Sequence, residues 1–66
     1  MKITLNGEAY TAKEAQTLEG LLEDLGAAGQ RVAVMLNGEI IKKDRRATVS
    51  LNERDTVEVI GMVGGG

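Results

Sequence analysis

Thr17-Leu18-Glu19-Gly20-Leu21-Leu22-Glu23-Asp24-Leu25-Gly26 lies between two Asn-Gly pairs, Asn6-Gly7 and Asn37-Gly38, and its pattern decides how the chain is built. Leu18, Leu21, Leu22 and Leu25 fall at i, i+3, i+4 and i+7, with Glu19, Glu23 and Asp24 on the opposite side. That is the period of a short helix with one apolar stripe. Thr17 is the expected N-cap, and Gly26 sits where a left-handed residue ends a helix. Gly20 costs about 1 kcal/mol relative to Ala inside a helix, which suggests a close approach of the helix to whatever it covers.

Outward from this helix the period falls to two. Met1, Ile3 and Leu5 share one face of a strand, Lys2 and Thr4 the other, and residues 8–12 return after Asn6-Gly7. Residues 32–36 pair in the same way with a short return strand at 39–41 across Asn37-Gly38. Asn-Gly between such runs is the strongest short-range hairpin signal, because a type I′ turn needs positive φ at both central residues. Tyr10, the only aromatic residue, reads as a strand residue with its hydroxyl at the surface.

After the second hairpin come Lys42-Lys43-Asp44-Arg45-Arg46, an irregular segment over 48–51, a polar turn over 52–55 and a last apolar run from Thr56 to Val63. The basic run reads as a solvated loop, or else as a patch steering the chain toward an acidic partner. Hairpin, helix, hairpin and strand predict an α+β fold: one mixed sheet of about five strands with the helix laid across one face. A ferredoxin-like arrangement would need a second helix. The first and last strands are expected to lie parallel at the centre, which is the β-grasp, or ubiquitin-like, plan. The expected division is a β-grasp domain over 1–63 and a flexible glycine tail over 64–66.

A chain of 66 residues and 7.0 kDa fits one domain. With no Cys and no His, it has no disulfide, thiolate nucleophile or cysteine-rich zinc site and lacks the commonest general base. Self-contained catalysis is therefore not expected. A formal charge of −2 argues against nonspecific nucleic-acid binding. No basic and apolar leader and no long apolar run are present, so the reading is a soluble, cytoplasmic protein that keeps off membranes.

The sequence closes on Gly64-Gly65-Gly66. No side chain there performs chemistry, so a functional tail would act through the α-carboxylate of Gly66. That group is ionised at neutral pH and a poor electrophile until converted to an anhydride. Attack of its oxygen on the α-phosphate of ATP would give an acyl-adenylate open to sulfur or nitrogen nucleophiles. An activating enzyme would have to supply the nucleotide site and metal, since no phosphate-cradling loop is visible here. Three extended glycines reach roughly 10 Å and, lacking Cβ atoms, can thread a narrow channel. Alternation along the strands leaves Met35 on the outer face with Ile60 and Met62, either as a patch for a partner to grip or as ordinary surface residues.

The Asn6-Gly7 hairpin, Thr17-Leu18-x-x-Leu21-Leu22, Val32-Ala33-Val34-x-Leu36-Asn37-Gly38-Glu39-Ile40, and Val57-Glu58-Val59-Ile60 running into Val63-Gly64-Gly65-Gly66 together resemble the bacterial ThiS family of sulfur carriers. The resemblance covers essentially the whole chain. It implies that a ThiF-type adenylating enzyme, using ATP and Mg, activates Gly66. A cysteine desulfurase or other sulfur donor then converts the adenylate to a thiocarboxylate, and a thiazole synthase takes the sulfur for the thiazole ring of thiamine. On this reading Gly66 carries the sulfur, Gly64 and Gly65 thread into the partner, and Met35, Ile60 and Met62 meet it. The chain itself would bind no cofactor, work as a cosubstrate and be monomeric when free. Many relatives have Pro and Trp after the fourth strand, where this chain has the basic run. Other readings of the same tail are a carrier for a different sulfur pathway, such as the small subunit of molybdopterin synthase, and a ubiquitin-like protein modifier. A noncovalent binding module with an incidental tail is the reading from another class.

Overall fold

Each Asn-Gly pair forms the turn that its residues favour. In the computed structural model, which describes residues 1–61, φ is 51° at Asn6 and 84° at Gly7, and 52° and 85° at Asn37 and Gly38. These are the paired positive values of a type I′ turn. The first turn joins β1 (Lys2–Leu5) to β2 (Glu8–Thr11), and the second joins β3 (Val32–Leu36) to β4 (Glu39–Ile40). The last strand, β5 (Thr56–Gly61), lies between the two hairpins, giving the order β2-β1-β5-β3-β4. It runs parallel to β1 and antiparallel to β3, as the β-grasp plan requires. Both turn asparagines also hold β5 by their side chains: Asn6 Oδ1 accepts from the Val59 amide at 2.9 Å and Asn37 Oδ1 from the Thr56 amide at 2.8 Å.

The helix α1 (Leu18–Asp24) begins at Thr17, whose Oγ1 accepts from the Gly20 amide at 3.1 Å. It ends in a Schellman turn. Gly26 takes φ 73°, its amide donates to the Glu23 carbonyl, and the Ala27 amide donates to the Leu22 carbonyl at 2.8 Å. Leu18, Leu21 and Leu22 are fully buried against Ile3, Val34 and Val57 of the sheet. Each contributes about 1.5–3 kcal/mol of transfer free energy.

Several expectations require correction. Leu25 is not part of the buried stripe. It is the C-cap of a helix of seven residues and is 38% exposed, because the Schellman turn brings Ala27 and Ala28 against the core in its place. Gly20 does not mark a close approach to the sheet. A Cβ there would instead meet the Gln16 side chain at 3.3 Å, which is folded over the first turn of the helix. The segment 48–51 is less irregular than its sequence suggests: Leu18 donates to the Val49 carbonyl and Leu51 to the Gln16 carbonyl, and Leu51 joins the core. The return strands stop one residue earlier than expected, at Thr11 and Ile40.

The basic run divides. Lys43–Arg45 form a 3-10 turn at the surface, but Arg46 is 7% exposed and donates from Nη2 to the Val32 carbonyl at 2.8 Å, pinning this segment to β3. An arginine stem is apolar enough to be buried when its head finds a carbonyl.

A buried carboxylate organises the loop before β5. Asp55 accepts from the Asn52 amide at 2.7 Å and from Asn37 Nδ2 at 3.1 Å. Asp55→Ala would strand both donors, and we expect it to cost about 1–3 kcal/mol of stability. A shift of the urea midpoint measures this; an unshifted midpoint would show that water replaces the carboxylate without loss.

Asp24 is held below the usual carboxylate range, first by the hydrogen bond from Gln16 Nε2 at 2.6 Å and then by Lys13, against partial desolvation. A carboxylate whose pKa is lowered by folding stabilises above its unfolded pKa and loses that contribution as pH falls through the lower folded value. Parent and Asp24→Asn stabilities should therefore converge in acid. Parallel pH profiles would refute the assignment.

Candidate functional site

Val34 and Val57 point into the core at 0% exposure, so their neighbours along β3 and β5 point away from the helix. The register then settles which outward residues meet. Ala33 stands opposite Ile60, and Met35 stands between Ile40 on β4 and Glu58 on β5. Ala33, Met35, Ile40 and Ile60 form a strip across three adjacent strands, the spacing between strands being about 4.8 Å. Ile40 is 68% exposed and Ile60 50%, against half-burial of Ala33 and Met35. Exposed Ile40 and Ile60 flank Ala33 and Met35 of β3 on this face, and an apolar strip of this kind suits a partner surface better than water.

The structure thus brings two of the three expected surface residues, Met35 and Ile60, onto one face. Met62 and the tail residues Gly64, Gly65 and Gly66 lie outside the described residues. Ala33 and Ile40 were not anticipated as members of the strip. A two-residue turn at Asn37-Gly38 puts Met35 opposite Ile40, so the register held that signal.

At the end of the sheet toward which β5 runs, Gly61 pairs with Val32, whose carbonyl accepts from Arg46. The chain therefore leaves the described structure beside the open apolar face and next to a cationic segment. No group of three or more metal-ligating side chains gathers among the described residues, and the sequence has neither His nor Cys. No helix among them is long and apolar enough to cross a membrane. What the described residues offer is a central strand, paired on both sides, that leads to the residues after 61.

One helix across a five-stranded mixed sheet, with the first and last strands parallel at its centre, defines a ubiquitin-like β-grasp protein. The model of the ThiS family matches residues 3–66, and the chain belongs to that family. It is 37% identical over 65 residues to the sulfur carrier protein ThiS of Bacillus subtilis, covering 97% of this chain and 98% of that one. The crystal structure of the thiamine biosynthesis protein ThiS from Geobacter metallireducens superposes with a TM-score of 0.86 at 32% identity, each chain being covered completely. The chain is also 46% identical over its full length to a thiazole synthase of Magnetococcus marinus, where it spans 20% of that protein. It spans the same share of a second thiazole synthase, from Paramagnetospirillum magneticum.

Proposed function

We propose that this chain is a sulfur carrier for thiazole formation in thiamine biosynthesis, and that the group it carries is formed on the α-carboxylate of Gly66. The observation that supports this most is that the family match runs through residue 66 and so includes the glycines. A ThiF-type enzyme using ATP and Mg converts the carboxylate to an acyl-adenylate with release of pyrophosphate. The outer sulfur of a cysteine desulfurase persulfide, or of an equivalent donor, displaces AMP to give an acyl disulfide, and a thiol then attacks the donor's sulfur, forming a disulfide with it and releasing the thiocarboxylate. A thiazole synthase then takes the sulfur. Residues 1–63 form the body and 64–66 the tail that enters each partner. The occurrence of this domain within proteins named thiazole synthase supports that choice of acceptor. Catalysis belongs to the partners; this chain is consumed and regenerated.

Intact mass spectrometry of the protein from a native-like host tests the reading. A fraction of molecules should carry sulfur in place of one oxygen at Gly66, and co-expression with a cysteine desulfurase and the adenylating enzyme should raise that fraction. Complete absence of such a species under co-expression would sink it.

The apolar strip is where the adenylating enzyme grips the sheet. Replacing Ile60 by Glu puts a charge at one end of that contact while altering a half-exposed site, so stability should stay within about 0.5 kcal/mol. Pyrophosphate release should fall by roughly tenfold or more at subsaturating carrier, since an interface residue that is desolvated on binding contributes at least 1–2 kcal/mol. An unchanged KM for the carrier would move the contact elsewhere.

A further inference from the structure

We propose that the cleft lined by Arg31, Lys43 and Arg46 receives a carboxylate side chain of the protein that takes up the tail; this rests on the carrier reading above. The cleft is also lined by Gly29, Gln30 and Val32, and no acidic residue lines it. Asp44, the acid within the basic run, lines a different depression with Glu19 and Ala47, and Lys43 borders both.

Arg46 makes the cleft more than a group of surface charges. Its guanidinium is almost entirely enclosed, its Nη2 bonds only a neutral carbonyl, and its Nε has no acceptor among the described residues. The ion pairs among those residues are Met1 with Glu14 and Lys13 with Asp24, so among the described residues no carboxylate pairs with Arg46. A buried cation without a counter-charge is costly, and an anion placed within a few ångströms recovers part of that cost. Arg31 and Lys43 are exposed and supply the donors that such an anion would meet first.

Location selects the occupant. Val32, in the cleft wall, pairs directly with Gly61, the last described residue of β5. A protein that binds the residues after 61 comes close to this cleft. A side-chain carboxylate at that position would pair with Lys43 and Arg31 and sit above the buried charge of Arg46. The apolar strip and this cleft would then grip the carrier at two points of unlike chemistry.

The test uses the full chain with its ThiF-type enzyme and ATP, following pyrophosphate release. Lys43→Glu combined with Arg31→Glu should raise the KM for the carrier by about tenfold or more with kcat unchanged, as reversing close charge pairs does. Added salt should weaken the parent but not the double variant. The thermal midpoint of the double variant should equal or exceed that of the parent, because the new carboxylates lie beside an uncompensated cation. An unchanged KM at low salt would overturn the inference while leaving the carrier reading intact. Saturable binding of inorganic phosphate to the free parent, with KM insensitive to the substitutions, would overturn it in favour of a small-anion site. No pyrophosphate release from the parent would instead remove the carrier reading, and this inference with it.

Discussion

Leu22→Ala lowers the unfolding free energy by about 2–5 kcal/mol, the range for truncating a fully packed leucine. Leu22 is 1% exposed, and its carbonyl receives the amides of Ala27 and Ala28, so the helix end and the core are fixed at one residue. A domain of 66 residues has roughly 3–10 kcal/mol of stability in total, at about 0.05–0.15 kcal/mol per residue. Losing several of these leaves a large unfolded fraction. In a chain of this size each kcal/mol moves the thermal midpoint by about 4–8 °C, so the expected drop is at least about 8 °C by circular dichroism. A drop under about 4 °C would mean that the neighbouring side chains collapse into the space.

Removing Gly65 and Gly66 has the opposite profile. Sulfur loading should be lost entirely, whereas the thermal midpoint should stay within a degree or so, since a glycine has no side chain to add to a core. Blocking the Gly66 carboxyl as an amide should have the same consequence without shortening the chain, because adenylation needs the carboxylate oxygen as nucleophile. The measurement pairs complementation of a carrier-deficient strain with a denaturation curve. Complementation by the truncated chain would reduce the protein to a noncovalent module. A bulky residue at Gly65 separates reach from chemistry: if the tail threads a channel, Gly65→Leu loses loading with the carboxylate still present.

The fold was legible where one residue type has one physical use. Asn-Gly pairs at both hairpins, Thr17 at a helix start and Gly26 at its end each satisfy a backbone requirement that few alternatives meet. The outward position of Met35 and Ile60 followed from alternation alone. What stayed hidden depends on contacts remote in the chain or on competition between equivalent choices. Leu25 continues the apolar period by sequence, but the point at which a helix stops over its sheet is set by the turn that follows. Gly20 has its neighbour in Gln16, a polar side chain from just before the helix that lies over its first turn. Arg46 differs from Arg45 by nothing in composition; only the position of the Val32 carbonyl decides which of the two is buried. The proposed carrier site was read as chemistry, from a terminal carboxylate in a chain without Cys or His, and it lies outside the described residues.

The position of β5 has a mechanical consequence for any protein that draws on the residues beyond it. A pull along its axis loads the ladders to β1 and β3 at once, together with the side-chain bonds from Asn6 and Asn37. Those bonds lie across the direction of force, so they must yield in shear as a group instead of unzipping one after another. The body can therefore serve as an anchor that resists extraction while its terminus is worked upon and then withdrawn.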